Sequence, residues 1–335
     1  MKKQLKKALC GAMAAGMMLG ATTSVQAEDP LKIGIIYLTM EHAYYQAHAQ
    51  HTRDYCEELG IDLVELDGQV DQAVMAEQIE NLIVQNVDGI IYCPIEGGAA
   101  SADINVVQDA GIPILTFAIS HNQETANAPF VGLDEFAAGS LGGVEAAKLF
   151  NEKFADTEAK IGIIENTADP ASVNRSDGFI SGFQSVIPEA EVVSRVNGEA
   201  VKDTAASVTE DLIQAHPEIN VFFGANGDQG LGALAALESS GRGTLDTEIV
   251  VSHDGSEAEV IKIVDPDSAL KVANANKPKE CARACVDTLL EMINGEREMT
   301  NTDNIVVETA VVTGDDLEAV QEFLTVEYCS DLILE

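Results

Sequence analysis

The stretch LKIGIIYL (31–38) returns later in the chain as AKIGIIEN (159–166). Each copy is an almost continuous apolar run, which is typical of a parallel strand that is covered on both faces. The same series of helix and strand patterns follows each copy, so the sequence repeats with a period of about 130 residues. A repeat of this length predicts two domains of one architecture and not a solenoid.

Two further helix–strand units follow the repeated strand in each half. The first half continues with AVMAEQIENLIVQNVDG and IIYCP, then ADINVVQDAG and IPILTFA. The second half continues with AASVTEDLIQAHPEIN and VFFGAN, then GLGALAALESSG and EIVVSHDG. Strands that alternate with helices indicate parallel sheets with right-handed crossovers. We therefore predict an α/β protein with two similar doubly wound parallel-sheet domains joined by a multi-strand hinge.

The connections between the halves are short. FVGLDEFAAG (130–139) leads into the second half without a Pro/Gly/Ser linker, which favours hinge strands over a flexible tether. The C-terminal segment, with the helix pattern CARACVDTLLEMINGE and the extended NIVVETAVVT, could cross back between the domains. The predicted lobes are residues 28–133 plus 277–305 and residues 134–276 plus 306–335.

The N-terminus reads as an export signal. Lysines precede a short apolar run, and small residues then lead to a cleavage site after Ala27, so residues 1–27 are predicted to be a signal peptide. The formal net charge of −37 would repel nucleic acid and anionic lipid, and we expect neither as a partner. The protein should be exported and soluble.

The cysteines point to no metal site. Five follow the predicted cleavage site: Cys56, Cys93, Cys281, Cys285 and Cys329. The odd number leaves at least one thiol unpaired, and one disulfide or none is expected. Cys281 and Cys285 lack CxxC spacing, and no HExxH pattern accompanies His48, so the sequence does not favour zinc or any other cofactor.

Polar and aromatic residues follow the predicted strands, where doubly wound sheets bind their ligands. Amides, aromatics and single charges suit a neutral polyhydroxylated ligand, because its hydroxyl groups both donate and accept hydrogen bonds. Other roles stay open, since Asp254 could cap a helix, Asn226 could form a turn, the tyrosines could pack at a helix entry and Arg175 could form a hinge ion pair. The candidate ligand-binding residues are His42, Tyr44, Tyr45, His121, Arg175, Asn226, Asp254 and Asn276.

These residues resemble the ribose/galactose type of periplasmic substrate-binding proteins, which have the type I fold of sugar ABC transport. The resemblance covers nearly all of residues 28–335 and is most specific in LIQAHPEINVFFGANGDQGLGALAAL and IVVSHDGSEA. It implies that Tyr44 and Tyr45 are the family's aromatic pair, with His42 where an asparagine is usual. It also implies ligand contacts from Asn226, Asp254 and Asn276. Arg175 lies two residues beyond the position of the family's arginine, which Val173 occupies.

The sequence also departs from ribose binders. Their Asp-Arg pair after the LT strand is replaced by Ala118-Ile119, and Ala200 falls near the position of a second aromatic residue. Ribose is therefore disfavoured, whereas another pentose, a hexose, a polyol or a furanose signal stays open. The resemblance implies a monomeric periplasmic protein that closes on its ligand and delivers it to an ABC permease in the inner membrane.

The sequence leaves other functions open, and one of them is a binder of a non-sugar solute. A receptor partner of a membrane sensor in chemotaxis, quorum or two-component signalling would use the same cleft and the same closure. An enzyme is not expected, because the chain has no GxSxG, kinase or zinc signature, and GLGALA (230–235) lies inside a helix pattern instead of directly after a strand.

Overall fold

The computed structural model describes residues 30–334, and the predicted signal peptide lies outside the described residues. The strands are β1 (Lys32–Tyr37), β2 (Asp62–Asp67), β3 (Gly89–Tyr92), β4 (Ile114–Phe117), β5 (Phe130–Gly132), β6 (Lys160–Glu165), β7 (Glu191–Asn197), β8 (Val221–Gly224), β9 (Ile249–Asp254), β10 (Leu270–Ala275), β11 (Asn304–Val306) and β12 (Ala310–Thr313). The helices are α1 (Ala43–Leu59), α2 (Gln72–Val84), α3 (Gly97–Asp109), α4 (Glu135–Lys153), α5 (Pro170–Val186), α6 (Lys202–Ala215), α7 (Gly227–Ser239), α8 (Glu257–Val264), α9 (Pro278–Ile293) and α10 (Leu317–Glu327). In the described part of the chain no helix is both long and apolar enough to cross a membrane.

The strands form two six-stranded sheets with matching order. The first sheet runs β11-β5-β4-β3-β1-β2 and the second runs β12-β10-β9-β8-β6-β7. The repeated strands are β1 and β6, and each lies between the two strands that follow it in sequence. All pairings between named strands are parallel except that of β10 with β12. The prediction of two similar doubly wound sheets is confirmed.

Each sheet is apolar on both faces because neighbouring side chains alternate between two clusters. Phe222 packs in the cluster beneath α6 and α7, whereas Phe223 packs in the cluster beneath α4 and α5. The ring of Phe223 stacks on Phe179 of α5 with the ring centroids 4.3 Å apart. Burial on both faces explains why the central strands read as continuous apolar runs.

The edge strands β2 and β7 were not recognised in the sequence. β2 reads DLVELD and β7 reads EVVSRVN, and most of their side chains are half-buried or exposed. An edge strand has one neighbour and more contact with solvent, so its sequence alternates with charged residues and lacks the apolar run of a central strand.

The chain crosses between the sheets three times. It passes from β5 into α4, from β10 into α9, and from β11 in the first sheet to β12 in the second. We call the first sheet with α1, α2, α3 and α9 the first lobe, and the second sheet with α4–α8 the second lobe. α10 contacts both α8 and α9 and so touches both lobes.

Helices α4 and α5 touch along their backbones. A Cβ atom on Gly139 would lie 2.0 Å from the carbonyl oxygen of Arg175, and one on Gly178 would lie 2.1 Å from that of Phe136. Glycine is therefore required where the two helices cross. This close contact places the start of α4 beside Arg175.

Candidate ligand-binding cleft

A cleft of about 650 Å³ lies at the carboxyl ends of the strands and is lined by both lobes. The first-lobe wall is mainly aromatic and apolar and consists of Leu38, His42, Tyr44, Tyr45, Ile95 and Ile119. The second-lobe wall is mainly polar and consists of Asn166, Asp169, Arg175, Asn226, Asp228 and Asp254. Asn276 lines the cleft where the chain crosses from β10 to α9. Seven of the eight predicted site residues therefore lie around one cavity.

His42 joins the two walls. It caps the start of α1, where its Nδ1 accepts a hydrogen bond of 3.3 Å from the backbone N–H of Tyr44. Its Nε2 lies 3.5 Å from Oδ2 of Asp254 on the other wall. The cap fixes the ring, and the ring's other nitrogen faces the cleft.

Tyr44 and Tyr45 supply the aromatic surface of the first-lobe wall. Their rings meet edge to face, with centroids 5.3 Å apart. The Tyr45 hydroxyl accepts a hydrogen bond of 3.5 Å from the Cys93 thiol. Burial raises the pKa of both tyrosines well above the usual value, so both keep their hydroxyl protons. Both residues line the cleft, where Tyr45 is buried and Tyr44 is half-buried.

Asp254 is the centre of a hydrogen-bond network on the second-lobe wall. Its Oδ2 accepts from the backbone N–H of Gly227 at 3.0 Å, and its Oδ1 accepts from Nδ2 of Asn276 at 2.8 Å. Its backbone carbonyl accepts from the hydroxyl of Tyr328 at 2.6 Å. The φ angle of Asp254 is +120°, a conformation that an L-residue adopts only under constraint.

Asp254 does not cap α8, a role that the sequence had left open for this residue. The capping residue of α8 is Ser256, which forms a capping box with Glu259. Each carboxylate oxygen of Asp254 can accept a further hydrogen bond. The network thus holds the carboxylate at the cleft surface with acceptor capacity to spare.

Asn226 has one capping role and one further contact. Its Oδ1 accepts from the backbone N–H of Gln229 at 2.8 Å and so caps α7. Its Nδ2 donates to the carbonyl oxygen of Ala200 at 3.2 Å. One amide hydrogen and one lone pair are left over, so a hydroxyl group in the cleft could both donate to this amide and accept from it.

Arg175 lines the cleft but is paired within the protein. Its Nε and Nη2 lie 2.8 Å and 2.7 Å from Oε2 of Glu135, and its Nη1 donates to the carbonyl oxygen of Ala225 at 2.5 Å. Burial lowers the pKa of the Arg175 guanidinium, but the negative charges of Glu135 and Asp254 have the larger combined effect, so its pKa is raised. The ion pair that the sequence left open is therefore present.

His121 is the predicted residue that does not line the cleft. It is buried beside β4, where its Nδ1 pairs with Oγ1 of Thr116 at 2.8 Å. The chain turns at Ala118, which has a φ of +59°, and the loop then bonds back to Gly97 of α3. This turn leaves Ala118 and Ile119 on the cleft and carries His121 away from it.

Comparison with known proteins agrees with this architecture. A periplasmic binding protein domain family matches residues 33–297. The chain belongs to this periplasmic binding protein family.

Relatives in the family are distant but cover most of both chains. The ABC transporter periplasmic-binding protein YphF of Escherichia coli (strain K12) is 26% identical over 81% of this chain and 83% of its own. The ribose import binding protein RbsB of Bacillus subtilis (strain 168) is 25% identical over 79% of this chain and 82% of its own. A solved ABC transporter solute-binding protein from Bacillus halodurans C-125 with bound myo-inositol is 26% identical, with a TM-score of 0.72, and covers 88% of this chain and 96% of its own.

Several residues of this periplasmic binding protein's cleft were missed in the sequence. Asn166 follows β6 directly and Asp169 comes three residues later, whereas the residue predicted from this part of the sequence, Arg175, lies further along the chain. The signal was available, because the first polar residues after a central strand of a doubly wound sheet face the crevice. Asn274 of β10 is buried against Gly142 of α4 and does not line the cleft.

The lining of the cleft carries an excess of negative charge. Arg175 and Lys277 are the cations among its described lining residues, and Arg175 is already paired with Glu135. The carboxylates in the lining are Glu41, Glu135, Asp169, Glu199, Asp228 and Asp254. A ligand with a phosphate or carboxylate group would meet a negative field there.

A cluster with metal-ligand chemistry lies beside the cleft. In the described part of the chain, His48, Cys281 and Cys285 bring their donor atoms within 4.8 Å of one another. The sequence spacing did not indicate this group, because His48 comes from α1 and the cysteines come from α9. The cysteines among residues 30–334 are all free thiols.

Proposed function

We propose that this protein is the substrate-binding component of an ABC importer and captures a small neutral sugar or polyol between its lobes. The observation that carries the proposal is the placement of the Asp254 carboxylate. It is buried, held by hydrogen bonds from Gly227 of its own lobe and from Asn276 at the crossing, and faces His42 of the opposite lobe at 3.5 Å. A ligand bound there would touch both walls.

The two walls fit the two kinds of surface that a sugar or polyol presents. Asn226, Asp254 and Asn276 offer acceptors and donors for hydroxyl groups. Tyr44 offers a ring face for the C–H side of the ligand. The cavity volume is in the range that holds small ligands, roughly 300–1,000 Å³. A buried polar site of this kind also rejects analogues that lack a hydroxyl, because its own groups are then left unpaired.

The cleft disfavours two alternatives. Its carboxylates oppose phosphorylated sugars and sugar acids. Ala118 and Ile119 place apolar groups on the first-lobe wall where ribose binders carry an Asp-Arg pair, so we do not assign ribose although a relative is named for ribose import. The inositol-bound relative supports a polyol as readily as a sugar.

Closure of the lobes is the proposed mechanism. Residues 28–133 plus 277–305 would move against residues 134–276 plus 306–335 about the three crossings. A ligand that contacts both walls has higher affinity for the closed state and shifts the population towards it. The closed form would then dock as a monomer on an inner-membrane permease, with one lobe on each permease half, after removal of residues 1–27 and export to the periplasm.

A thermal-shift screen of residues 28–335 tests the proposal. Neutral pentoses, hexoses and polyols are compared with sugar phosphates, sugar acids, amino acids and nucleosides. A ligand at 100 times its Kd should add about 2.7 kcal/mol of stability. We expect a stabilising ligand among the neutral sugars or polyols. Stabilisation by anions, amino acids or nucleosides alone would contradict the proposed ligand class.

A further inference from the structure

A buried cluster of one imidazole and two thiols lies behind the aromatic pair of the first-lobe wall. His48 is on α1, which packs against α9, and Cys281 and Cys285 are one helical turn apart on α9. One donor atom from each residue lies within 4.8 Å of the other two. The exposed fractions of the three residues are 0%, 3% and 0%. Cys281 and Tyr44 line the cleft, so the cluster borders a solvent-accessible cavity.

Thr52 sets the orientation and the tautomer of His48. The Thr52 hydroxyl donates to the backbone carbonyl of His48 at 2.8 Å, so its oxygen faces Nδ1 of the ring at 3.2 Å as an acceptor. This arrangement places the ring proton on Nδ1 and leaves the lone pair on Nε2. Histidines that bind metals are held in the same way, by a hydrogen bond from the nitrogen that does not bind the metal.

Nε2 of His48 is buried and has no hydrogen-bond partner among residues 30–334. The ring stacks on Phe117, with centroids 4.5 Å apart, and meets Tyr37 edge to face at 5.8 Å. These contacts prevent the ring from rotating to find a partner elsewhere. A buried nitrogen lone pair without a partner costs free energy, and a bound cation would remove that cost.

The two thiols complete the donor set beside this imidazole. Cys281 and Cys285 are both free and buried. Each thiol releases its proton when it binds a metal ion.

We infer that His48, Cys281 and Cys285 form a metal site for a thiophilic d¹⁰ cation of the Zn²⁺ type. Zn–S and Zn–N bonds of about 2.3 Å and 2.0 Å place tetrahedral ligands about 3.5–3.8 Å apart, so donors within 4.8 Å need only a small contraction. Three protein ligands leave the fourth position for water or the Tyr44 hydroxyl. Oxygen-seeking Ca²⁺ and Mg²⁺ do not match this donor set.

The first test uses the reduced wild-type protein with Cd²⁺ as an optical probe. Binding at this site predicts a thiolate-to-metal absorption band that saturates at one ion per chain and is lost when Zn²⁺ is added in competition. In the same samples, bound metal should protect Cys281 and Cys285 from alkylation, as read by mass spectrometry. Absence of the band, or protection confined to Cys329, would overturn the inference without the need for any variant.

The second test measures Zn²⁺ affinity in variants against a competing chelator. Loss of a hydrogen bond that orients a metal ligand costs about 10–100-fold in affinity, so we expect roughly a tenfold loss for Thr52→Val and a loss of at least about 100-fold for Cys285→Ser or His48→Gln. Circular dichroism and thermal melting establish that each variant is folded.

Cys329→Ser is the matched control. This exposed thiol lies 3.5 Å from Nε2 of His51 and is the alternative place where a thiophilic ion could bind. We expect the Cd²⁺ band and the Zn²⁺ affinity to be unchanged in this variant. Loss of the band in Cys329→Ser together with its retention in Cys285→Ser would place the ion at the surface and contradict the buried site.

Discussion

The two walls of the cleft are built on sheets with the same strand order, but the first-lobe wall is aromatic and apolar and the second-lobe wall is polar. β1 and β6 are repeats of one strand, yet β1 leads through Leu38 to the aromatic pair, whereas β6 leads to Asn166 and Asp169. The second-lobe wall holds polar groups that are already fixed by hydrogen bonds, and the first-lobe wall covers them with rings and aliphatic groups. In this account the second lobe selects the ligand's hydroxyl groups, and the first lobe excludes water around them.

The largest effect is expected from Asp254→Ala, which removes the central acceptor of the second-lobe wall. Hydrogen bonds to a charged group contribute about 1.5–3 kcal/mol, which corresponds to a loss of roughly 10–150-fold in affinity. Calorimetry with a ligand identified by the thermal-shift screen measures this loss.

Asp316→Ala is the control for that variant. Asp316 also accepts a backbone hydrogen bond, at the start of α10, but it does not line the cleft. The Asp316→Ala variant should lose some stability but should bind the ligand with the affinity of wild type. Unchanged affinity in folded Asp254→Ala would refute the role of the second-lobe wall in selecting the ligand.

A smaller effect is expected when a rise in pH lowers the stability of the folded protein through Glu259, which lies near Asp254. Burial, followed by the nearby Asp254 carboxylate, raises the pKa of Glu259 to about 8. The folded protein then holds this proton more tightly than the unfolded chain. The associated stability is complete below about pH 4.5 and is lost as the pH rises towards 8.

Denaturant unfolding at pH 5 and pH 8 checks this sign. We expect wild type to lose at least about 1 kcal/mol over that range, since one pKa unit is worth 1.36 kcal/mol, and Glu259→Gln to lose less. Glu318→Gln, at an exposed position in the first turn of α10, should behave as wild type. An equal pH dependence in Glu259→Gln and wild type would show that this carboxyl does not carry the proton.

The smallest effect is expected from Tyr44→Ala on the first-lobe wall. Loss of the aromatic face should weaken binding by about 1 kcal/mol, or roughly fivefold, with the selectivity among sugars and polyols retained. Tyr55→Ala, on the same helix but outside the cleft, should bind as wild type. A larger loss for Tyr44→Ala than for Asp254→Ala would reverse the roles that we assign to the two walls.

The sequence predicted the fold because its central strands are buried on both faces. The repeat of β1 in β6 and the apolar runs of β8 and β9 leave few alternatives to a parallel sheet. The edge strands β2 and β7 could not be recognised in the same way, since charges interrupt their patterns.

The cleft was predictable to the extent that its residues follow strands directly. Asp254 ends β9 and Asn226 comes two residues after β8, so strand ends alone place them at one edge of the sheet. His121 differs because the turn at Ala118 redirects the chain, and a positive φ at alanine leaves no mark in the sequence. The sequence spacing could not reveal the His48–Cys281–Cys285 cluster, because its residues come from two helices that are distant in the chain.

Small-angle X-ray scattering of residues 28–335, with and without the sugar or polyol that gives the largest thermal shift, tests the central claim most directly. If one ligand joins the two walls, the radius of gyration of the wild-type protein should fall at saturation, and folded Asp254→Ala should require far more ligand for the same change. An unchanged radius of gyration in the saturated wild type would mean that the ligand does not draw the lobes together, and would contradict the account.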